Sequence, residues 1–157
     1  MTDIEVAIAG ISLVPFETHH AEELVTMWRT SFEAALGVTD PHPLAEQRAC
    51  LMNVVVPVHR VIVALDGQRI VAFIAASDDR VDQLYVHPDC QRRGIGSRLL
   101  QWAKDHSTGR LSLFAFERNH LARRFYETRG FRAVGRGFEE HWQLPDVRYE
   151  WTADPPG

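Results

Sequence analysis

The chain has 157 residues, a size that fits one folded domain and leaves little room for a second. Its composition is 45% hydrophobic, 24% charged and 10% aromatic, which is ordinary for a globular protein and excludes a disordered or fibrous main state. The formal net charge of −4 argues against a general nucleic-acid-binding protein, since such proteins usually carry a basic surface.

Cysteine usage and hydropathy indicate the compartment. Cys50 and Cys90 are isolated and form no CxxC pair, which is typical of a reducing cytoplasm and predicts neither a disulfide framework nor a zinc ribbon. The first residues lack the basic and apolar regions of a signal peptide, and no stretch approaches the ~18 apolar residues of a membrane span. We therefore expect a cytoplasmic protein without a membrane partner.

Hydrophobic patterning predicts elements in the order β-α-α-β-β-β-α-β-α-β-β. The first strand is expected at about residues 6–14, and an amphipathic helix follows, capped by Thr18 and ended by Gly37. The other predicted elements are a helix at 43–54, strands at 60–65, 70–76 and 81–86, a helix at 94–106, a strand at 111–116, a helix at 119–129, and strands that begin at 131 and 147. This order predicts a mixed sheet with helices on its faces.

A glycine- and arginine-rich loop follows the strand that ends at Val86 and leads directly into a helix. The first turn of a helix presents free backbone N–H groups and the positive end of the helix dipole, which together bind phosphate. Gly94 and Gly96 carry no Cβ that would keep an anion away, and Arg92 and Arg93 add positive charge. The loop lacks the Lys of a Walker loop and the third glycine of the dinucleotide motif. Taken alone, it fits a phosphate-binding loop and a solvated turn equally well.

A second group of residues follows the next predicted strand. Asn119 can cap a helix on which Ala122, Phe125 and Tyr126 share one face. The phenol of Tyr126 can donate a proton, with a reference pKa near ~10. Considered alone, these residues are explained more simply as a helix cap and core aromatic residues.

Together, the two segments resemble the GCN5-related N-acetyltransferase (GNAT) superfamily. Its loop pattern Gln/Arg-x-x-Gly-x-Gly/Ala is matched by residues 91–96, and its pattern of Asn, Ala-x-x-Phe-Tyr and Gly-Phe is matched within residues 119–131. The phrase Leu-Tyr-Val-His-Pro at 84–88 is also similar to the family. The resemblance implies an α/β (α+β) fold with a mixed, mostly antiparallel sheet, a splayed parallel strand pair and helices on both faces. It further implies one N-acetyltransferase domain over residues 1–157, with a loose tail from about 153.

The resemblance implies an acetyl-CoA site in the gap between the strands at 81–86 and 111–116. Backbone groups of Leu84 and Val86 are then expected to hold the pantetheine arm, and amides from Arg92 to Ser97 the pyrophosphate. The complete set of expected cofactor-binding residues is Leu84, Tyr85, Val86, Gln91, Arg92, Arg93, Gly94, Ile95, Gly96, Ser97, Asn119, Ala122 and Phe125.

The resemblance also implies direct acyl transfer from acetyl-CoA to a primary amine of a small molecule or a protein. Tyr126 is expected to protonate the leaving thiolate, and a backbone N–H near Val86 to stabilise the oxyanion. No Glu occurs at 81–86, so Asp82 is the nearest carboxylate for the general base, although a solvated side chain explains it more simply and a water chain could serve instead. Glu117 and His87 are less favoured alternatives.

The acceptor cannot be identified from the sequence. The family resemblance assigns specificity to residues of about 18–56 and 134–146, where aromatic side chains and the Glu139-Glu140 pair are candidates that core packing, a partner subunit or solvation explains more simply. The aromatic candidates, which include Tyr85 outside those ranges, are Trp28, Phe32, Tyr85, Phe138 and Trp142. The eight histidines form no metal motif, and the adjacent His19 and His20 are expected to point to different sides, so no metal is expected.

Two other functions fit the same motifs. A non-catalytic acyl-CoA sensing module would keep the binding loop and need no base. A nucleotide-binding regulator would use the loop for other phosphates, but the loop lacks a Lys and Mg²⁺ ligands. A homodimer is possible on the basis of the late strands, and the sequence does not decide it.

Overall fold

The computed structural model describes residues 10–154, so part of the first predicted strand and the last tail residues lie outside the described residues. Most sequence-predicted elements are present, with the late strands longer than expected. The strands are β1 Ile11–Pro15, β2 Arg60–Asp66, β3 Arg69–Ala76, β4 Val81–Val86, β5 Arg110–Phe116, β6 Arg132–Glu139 and β7 Leu144–Thr152. The α-helices are α1 Ala21–Leu36, α2 Leu44–Cys50, α3 Ile95–Asp105 and α4 His120–Glu127, and a π-helical turn, Leu51–Val55, continues α2.

The strands form two antiparallel sheets that meet at one point. The first has the order β1-β2-β3-β4, and the second has the order β5-β7-β6. β4 and β5 run parallel and touch where they begin, through a bridge between Arg80 and Ser112 and a hydrogen bond of 3.0 Å from the Ser112 amide to the Asp79 carbonyl. Beyond this point the two strands separate, as the expected splayed pair does.

Two hydrophobic cores lie on opposite faces of the first sheet. β2 and β3 are buried on both faces, as their continuous apolar sequences predict. α1 and the π-helical turn cover the face that includes Val63 and Phe73. α3 covers the face that includes Ala64 and Ile74, and this core continues into β5 and β7. The mixed α/β architecture with helices on both faces is therefore confirmed.

The start of α1 differs from the sequence prediction. Thr18 does not cap α1, because Thr18–His20 form a 3₁₀ turn before the helix begins at Ala21. The rings of His19 and His20 lie 4.1 Å apart, so the expectation that they point to different sides is wrong. Adjacent side chains in a 3₁₀ turn diverge by a third of a turn rather than by half. The predicted end of α1 at Gly37 is confirmed, with a left-handed φ of 67°.

Within residues 10–154, the longest helices are too short or too polar to cross a bilayer.

Candidate active site

A cleft of about 190 Å³ opens where β4 and β5 separate. Both strands line it, together with residues from α4 and from the β6–β7 hairpin. The lining residues are Val81, Asp82, Gln83, Leu84, Tyr85, Leu113, Phe114, Ala115, Phe116, Asn119, Ala122, Tyr126, Glu139 and Asp146. Six residues that the sequence predicts for the site therefore share one cavity: Asp82, Leu84, Tyr85, Asn119, Ala122 and Tyr126.

Along most of its length, the edge of β4 that faces away from β3 is paired with no other strand within residues 10–154. The His87 amide donates to the Val71 carbonyl at 2.8 Å, which sets the phase of the β3–β4 ladder. Antiparallel pairing alternates along a strand, so the N–H and C=O groups of Leu84 and Val86 are directed away from β3. The Nε2 atom of Gln91 lies 3.4 Å from the Val86 carbonyl oxygen on this open side. An extended ligand can add to this edge like another strand.

The loop between β4 and α3 presents free amides at the start of a helix. The amides of residues 92–97 donate to no protein group within residues 10–154, and the first helical bond runs from Arg98 to Gly94. Gly94 caps α3 with a φ of 81°, and Arg92 has a φ of 66°, which turns the chain tightly into the helix. Arg93 lies 3.4 Å from Asp66 of the β2–β3 turn. The loop therefore combines free backbone amides with basic side chains, which are the features that helix starts offer to an anion.

Gly96 has a packing role that the loop motif does not reveal. A Cβ at this position would lie 3.4 Å from the ring of Phe125 and 3.5 Å from Val86. The missing side chain therefore lets α3 approach β4 and α4 closely, whereas the space around Gly94 is open.

Arg129, just beyond α4, is a candidate site residue that sequence reasoning missed. Its guanidinium stacks on Phe125, with 4.0 Å from Cζ to the ring centroid, and donates to the Ser97 hydroxyl at 2.6 and 2.8 Å. A third arginine thus contacts the first turn of α3, which Arg92 and Arg93 precede in the sequence. The only sequence signal was a cation between the Phe-Tyr and Gly-Phe motifs.

Asn119 caps α4, as the sequence predicts, and also lines the cleft. Its Oδ1 atom accepts a hydrogen bond of 3.2 Å from the Ala122 amide. This bond assigns the oxygen to capping, so the side-chain NH₂ group is the part of Asn119 that can act as a donor towards a ligand.

Tyr126 is buried within an aromatic cluster, with 7% of its surface exposed. Its ring packs on Phe125, Phe131 and Tyr149 at centroid distances of 5.2, 5.5 and 6.4 Å. Tyr126 lines the cleft, and its hydroxyl has no hydrogen-bond partner within residues 10–154. Burial, and then the neighbouring Tyr85, raise the pKa of Tyr126, so its proton is retained at neutral pH.

Three carboxylates line the cleft, and two of them lie on the β6–β7 hairpin. Glu139 accepts hydrogen bonds from the amides of His141 and Trp142. The Oδ1 atom of Asp146 is buried and has no hydrogen-bond partner within the described residues. Burial, and then Glu139, raise the pKa of Asp146. The third carboxylate, Asp82 on β4, is the base candidate from the sequence.

The aromatic acceptor candidates fall into different environments. Tyr85 lines the cleft, and Phe32 lies beside it, between Tyr85 and Trp142, at centroid distances of 6.3 and 4.9 Å. Trp28 is buried against Phe73 in the core, and Phe138 is 55% exposed. Of the five candidates, only Tyr85 lines the cleft.

One cluster of metal-ligating side chains exists within residues 10–154, although the sequence predicts none. The candidate ligand atoms of Glu17, His19 and His20 all lie within 4.8 Å of one another. The Nδ1 atom of His20 already accepts a hydrogen bond from the Glu17 amide at 2.9 Å. None of the three residues lines the cleft.

Comparisons with known proteins agree with this geometry. Residues 57–133 match the acetyltransferase (GNAT) domain family. The Mycobacterium tuberculosis protein named "Probable N-acetyltransferase Rv2775" is 38% identical over 86 residues, which are 50% of this chain and 48% of that protein. The peptidyl-lysine N-acetyltransferase YjaB of Salmonella typhimurium is 27% identical over 115 residues, which cover 73% and 79% of the two chains.

The fold is also similar to that of solved acetyltransferases. The crystal structure of the PaiA N-acetyltransferase from Thermoplasma acidophilum in complex with coenzyme A has a TM-score of 0.72 and 16% identity, over 92% of this chain and 99% of that one. The alignment with the M. tuberculosis relative spans about half of that protein's length. The matched domain, the splayed strands and the loop before α3 lead to one conclusion: residues 57–133 of the chain form an acetyltransferase domain of the GCN5-related N-acetyltransferase (GNAT) type.

Proposed function

We propose that the chain is an acetyl-CoA-dependent N-acetyltransferase that transfers an acetyl group directly to a primary amine. The observation that carries the proposal is the cleft between β4 and β5. β4 forms one of its walls and leads into a helix start with free backbone amides. The same cleft contains a buried tyrosine that keeps its proton at neutral pH.

Acetyl-CoA fits the residues present at two of its chemically distinct parts. The free amides of residues 92–97 suit a diphosphate, and Arg92, Arg93 and Arg129 supply positive charge around them. The open edge of β4 at Leu84 and Val86 suits the amide groups of a pantetheine arm.

Acetyl-CoA supplies an acyl group activated as a thioester, and the residues of the chain act on the charge and the protons. The Val86 amide, which is directed away from β3, stabilises negative charge on the acyl oxygen. The Tyr126 hydroxyl donates to the sulfur as the carbon–sulfur bond breaks. Because its pKa is raised, full transfer to a thiolate with a reference pKa near ~8.5 is uphill. The phenol therefore regains a proton from the attacking nitrogen as it gives up its own.

The acceptor is a cationic amine in this proposal. Asp82, Glu139 and Asp146 line the cleft, and no cationic side chain does so within the described residues. An ammonium group would supply the partner that the buried oxygen of Asp146 lacks in the protein. Because the Salmonella relative is named a peptidyl-lysine N-acetyltransferase, lysine-containing peptides belong in the first set of acceptors.

The experiment measures binding and turnover separately. Thermal shift with acetyl-CoA, and with ATP as the comparison, tests the anion site. Release of free thiol in the presence of small diamines and lysine peptides tests transfer. Binding of acetyl-CoA without transfer to any amine would favour a sensing module. Binding of ATP without binding of coenzyme A would favour a nucleotide-binding regulator.

We also propose that residues 1–157 act as a single domain in the cytoplasm, without a metal, a nucleic-acid partner or a membrane. Unchanged turnover after treatment with a chelator would support the metal-free part of this proposal, and loss of turnover would contradict it.

A further inference from the structure

The acceptor amine must lose a proton before it can attack, and this inference rests on the acetyl transfer proposed above. An alkylamine is an ammonium ion at neutral pH, since the reference pKa of a lysine is near ~10.4. Its nitrogen has no electron pair for attack until one N–H bond breaks. The protein therefore needs a group that takes a proton inside the cleft.

A β-bulge in β4 sets the direction of the Asp82 side chain. Val81 pairs with Ala76 and Gln83 pairs with Ala75, so Asp82 is the extra residue of a β-bulge. Bulges turn a side chain out of the regular alternation of a strand. Asp82 lines the cleft with a side chain that is 20% exposed.

His59 lies behind this carboxylate, in the turn before β2. Its Nε2 atom is 3.9 Å from Oδ1 of Asp82, and its side chain is 12% exposed. Its Nδ1 atom lies 2.9 Å from the carbonyl oxygen of Val55. A carbonyl oxygen can only accept a hydrogen bond, so Nδ1 carries the hydrogen and the lone pair of the neutral ring is on Nε2. The local backbone thus directs the basic nitrogen of His59 towards Asp82.

We propose that His59 and Asp82 form a proton-accepting pair that removes one proton from the ammonium group of the acceptor. Asp82 contacts the amine, and His59 acts through it as a positioning residue that finally holds the proton. One N–H bond of the ammonium breaks, its electron pair stays on nitrogen, and the proton passes to the carboxylate of Asp82. Oδ1 of Asp82 and Nε2 of His59 lie 3.9 Å apart and approach to hydrogen-bond distance once the acceptor is bound, as catalytic hydrogen bonds commonly tighten in the complex, and the proton then moves to Nε2. The imidazolium formed in this way donates from Nδ1 to Val55 and from Nε2 to Asp82.

The charges around the pair are compatible with this role. Arg80 lies 3.4 Å from the same Oδ1 atom of Asp82, and its side chain is 53% exposed. Burial, and to a smaller extent the nearby Asp82, raise the pKa of Tyr85, so the Tyr85 side chain stays neutral and adds no charge. The π-helical turn that contains Val55 has no titratable residue. Arg80 is therefore the cation that competes with an incoming ammonium for Asp82.

Two acceptors distinguish a proton-accepting role from a structural one. One is a blocked lysine peptide, whose amine is charged at pH 7, and the other is an acyl hydrazide, whose nitrogen is uncharged at that pH. At saturating acetyl-CoA we expect His59→Gln to lower kcat/KM for the lysine peptide about 100-fold and for the hydrazide less than about threefold. Asp82→Asn should show the same selectivity, and raising the pH should restore His59→Gln more than wild type.

His106→Gln is the matched control. The Nδ1 atom of His106 lies 2.8 Å from the Trp102 carbonyl oxygen, four residues earlier, as Nδ1 of His59 does to Val55. This variant should leave both acceptors unchanged. Equal losses on both acceptors, or no loss on the lysine peptide, would overturn the pair while leaving acetyl transfer intact. Failure of the wild-type protein to acetylate either acceptor would overturn the proposed function and this inference with it.

Discussion

Replacing Tyr126 by phenylalanine removes one oxygen atom and tests its proposed role as a proton donor. The aromatic packing on Phe125, Phe131 and Tyr149 is retained, because the ring itself makes these contacts. The hydroxyl has no hydrogen-bond partner within residues 10–154, and burial raises its pKa. The substitution breaks no hydrogen bond within residues 10–154, and phenylalanine is the more apolar side chain, so Tyr126→Phe should be as stable as wild type or up to about 1 kcal/mol more stable, a rise in Tm of up to about 3 °C.

Turnover should change in the opposite sense. Positioned proton donors contribute about 10²- to 10⁴-fold, and a thiolate is already a fair leaving group, so we expect the lower value. A loss of about 100-fold in kcat corresponds to about 2.7 kcal/mol. The KM for acetyl-CoA should change little. Single-turnover thiol release, with amine in excess, measures the chemical step without interference from product release.

Tyr149→Phe is the control for this variant. The Tyr149 hydroxyl donates to Glu127 and accepts from Arg123, and the residue does not line the cleft. Its loss should lower the free energy of unfolding by about 1 kcal/mol and leave turnover unchanged. Wild-type single-turnover rates in Tyr126→Phe, combined with normal folding, would refute the role of the phenol.

Other variants test the loop, the hairpin and the titration of Tyr126. Arg129→Gln should weaken acetyl-CoA binding about tenfold by calorimetry, whereas Arg124→Gln, at an exposed position on α4, should not. Gly94→Ala places a Cβ at a φ of 81° and should cost about 1–2 kcal/mol in urea unfolding. Asp146→Asn should raise both Tm at pH 7 and the KM for the amine, because a raised carboxyl pKa makes the charged form unfavourable in the fold; a lower Tm would contradict this. The pKa of Tyr126 is higher in the folded protein than its reference value near ~10 in the unfolded chain, so its contribution to stability is complete below pH ~10 and is lost as the pH rises above that value. Above pH ~10, Tyr126→Phe should therefore lose less stability than wild type.

The bounds of the elements were largely readable from the sequence. The β4 strand and the end of α1 at Gly37 follow from apolar runs and a left-handed glycine. Thr18 was misassigned because its chemistry suits a helix cap, but the chain makes a 3₁₀ turn first. The residue type determines whether a side chain can cap a helix, whereas the path of the backbone determines which residue occupies the capping position.

Arg129 and His59 show what sequence reasoning could not reach. Arg129 donates a hydrogen bond to Ser97, which lies 32 residues earlier in the sequence. His59 lies close to Asp82, which is 23 residues later in the sequence. Neither lies in a local motif, and single-sequence patterns contain no information on which distant side chains meet. The bulge that directs Asp82 likewise depends on the register between β3 and β4.

The sequence by itself determined the alternation of strands and helices, the loop from Gln91 to Gly96 and the Asn119–Tyr126 motif, because each depends on neighbours within a few residues. The tertiary structure decided that β4 and β5 separate after one bridge, that three carboxylates share the resulting cleft, and that Oδ1 of Asp146 has no hydrogen-bond partner within residues 10–154. The physical reason is that periodicity and capping act along the chain, whereas burial, partner loss and shared cavities arise only when distant segments pack.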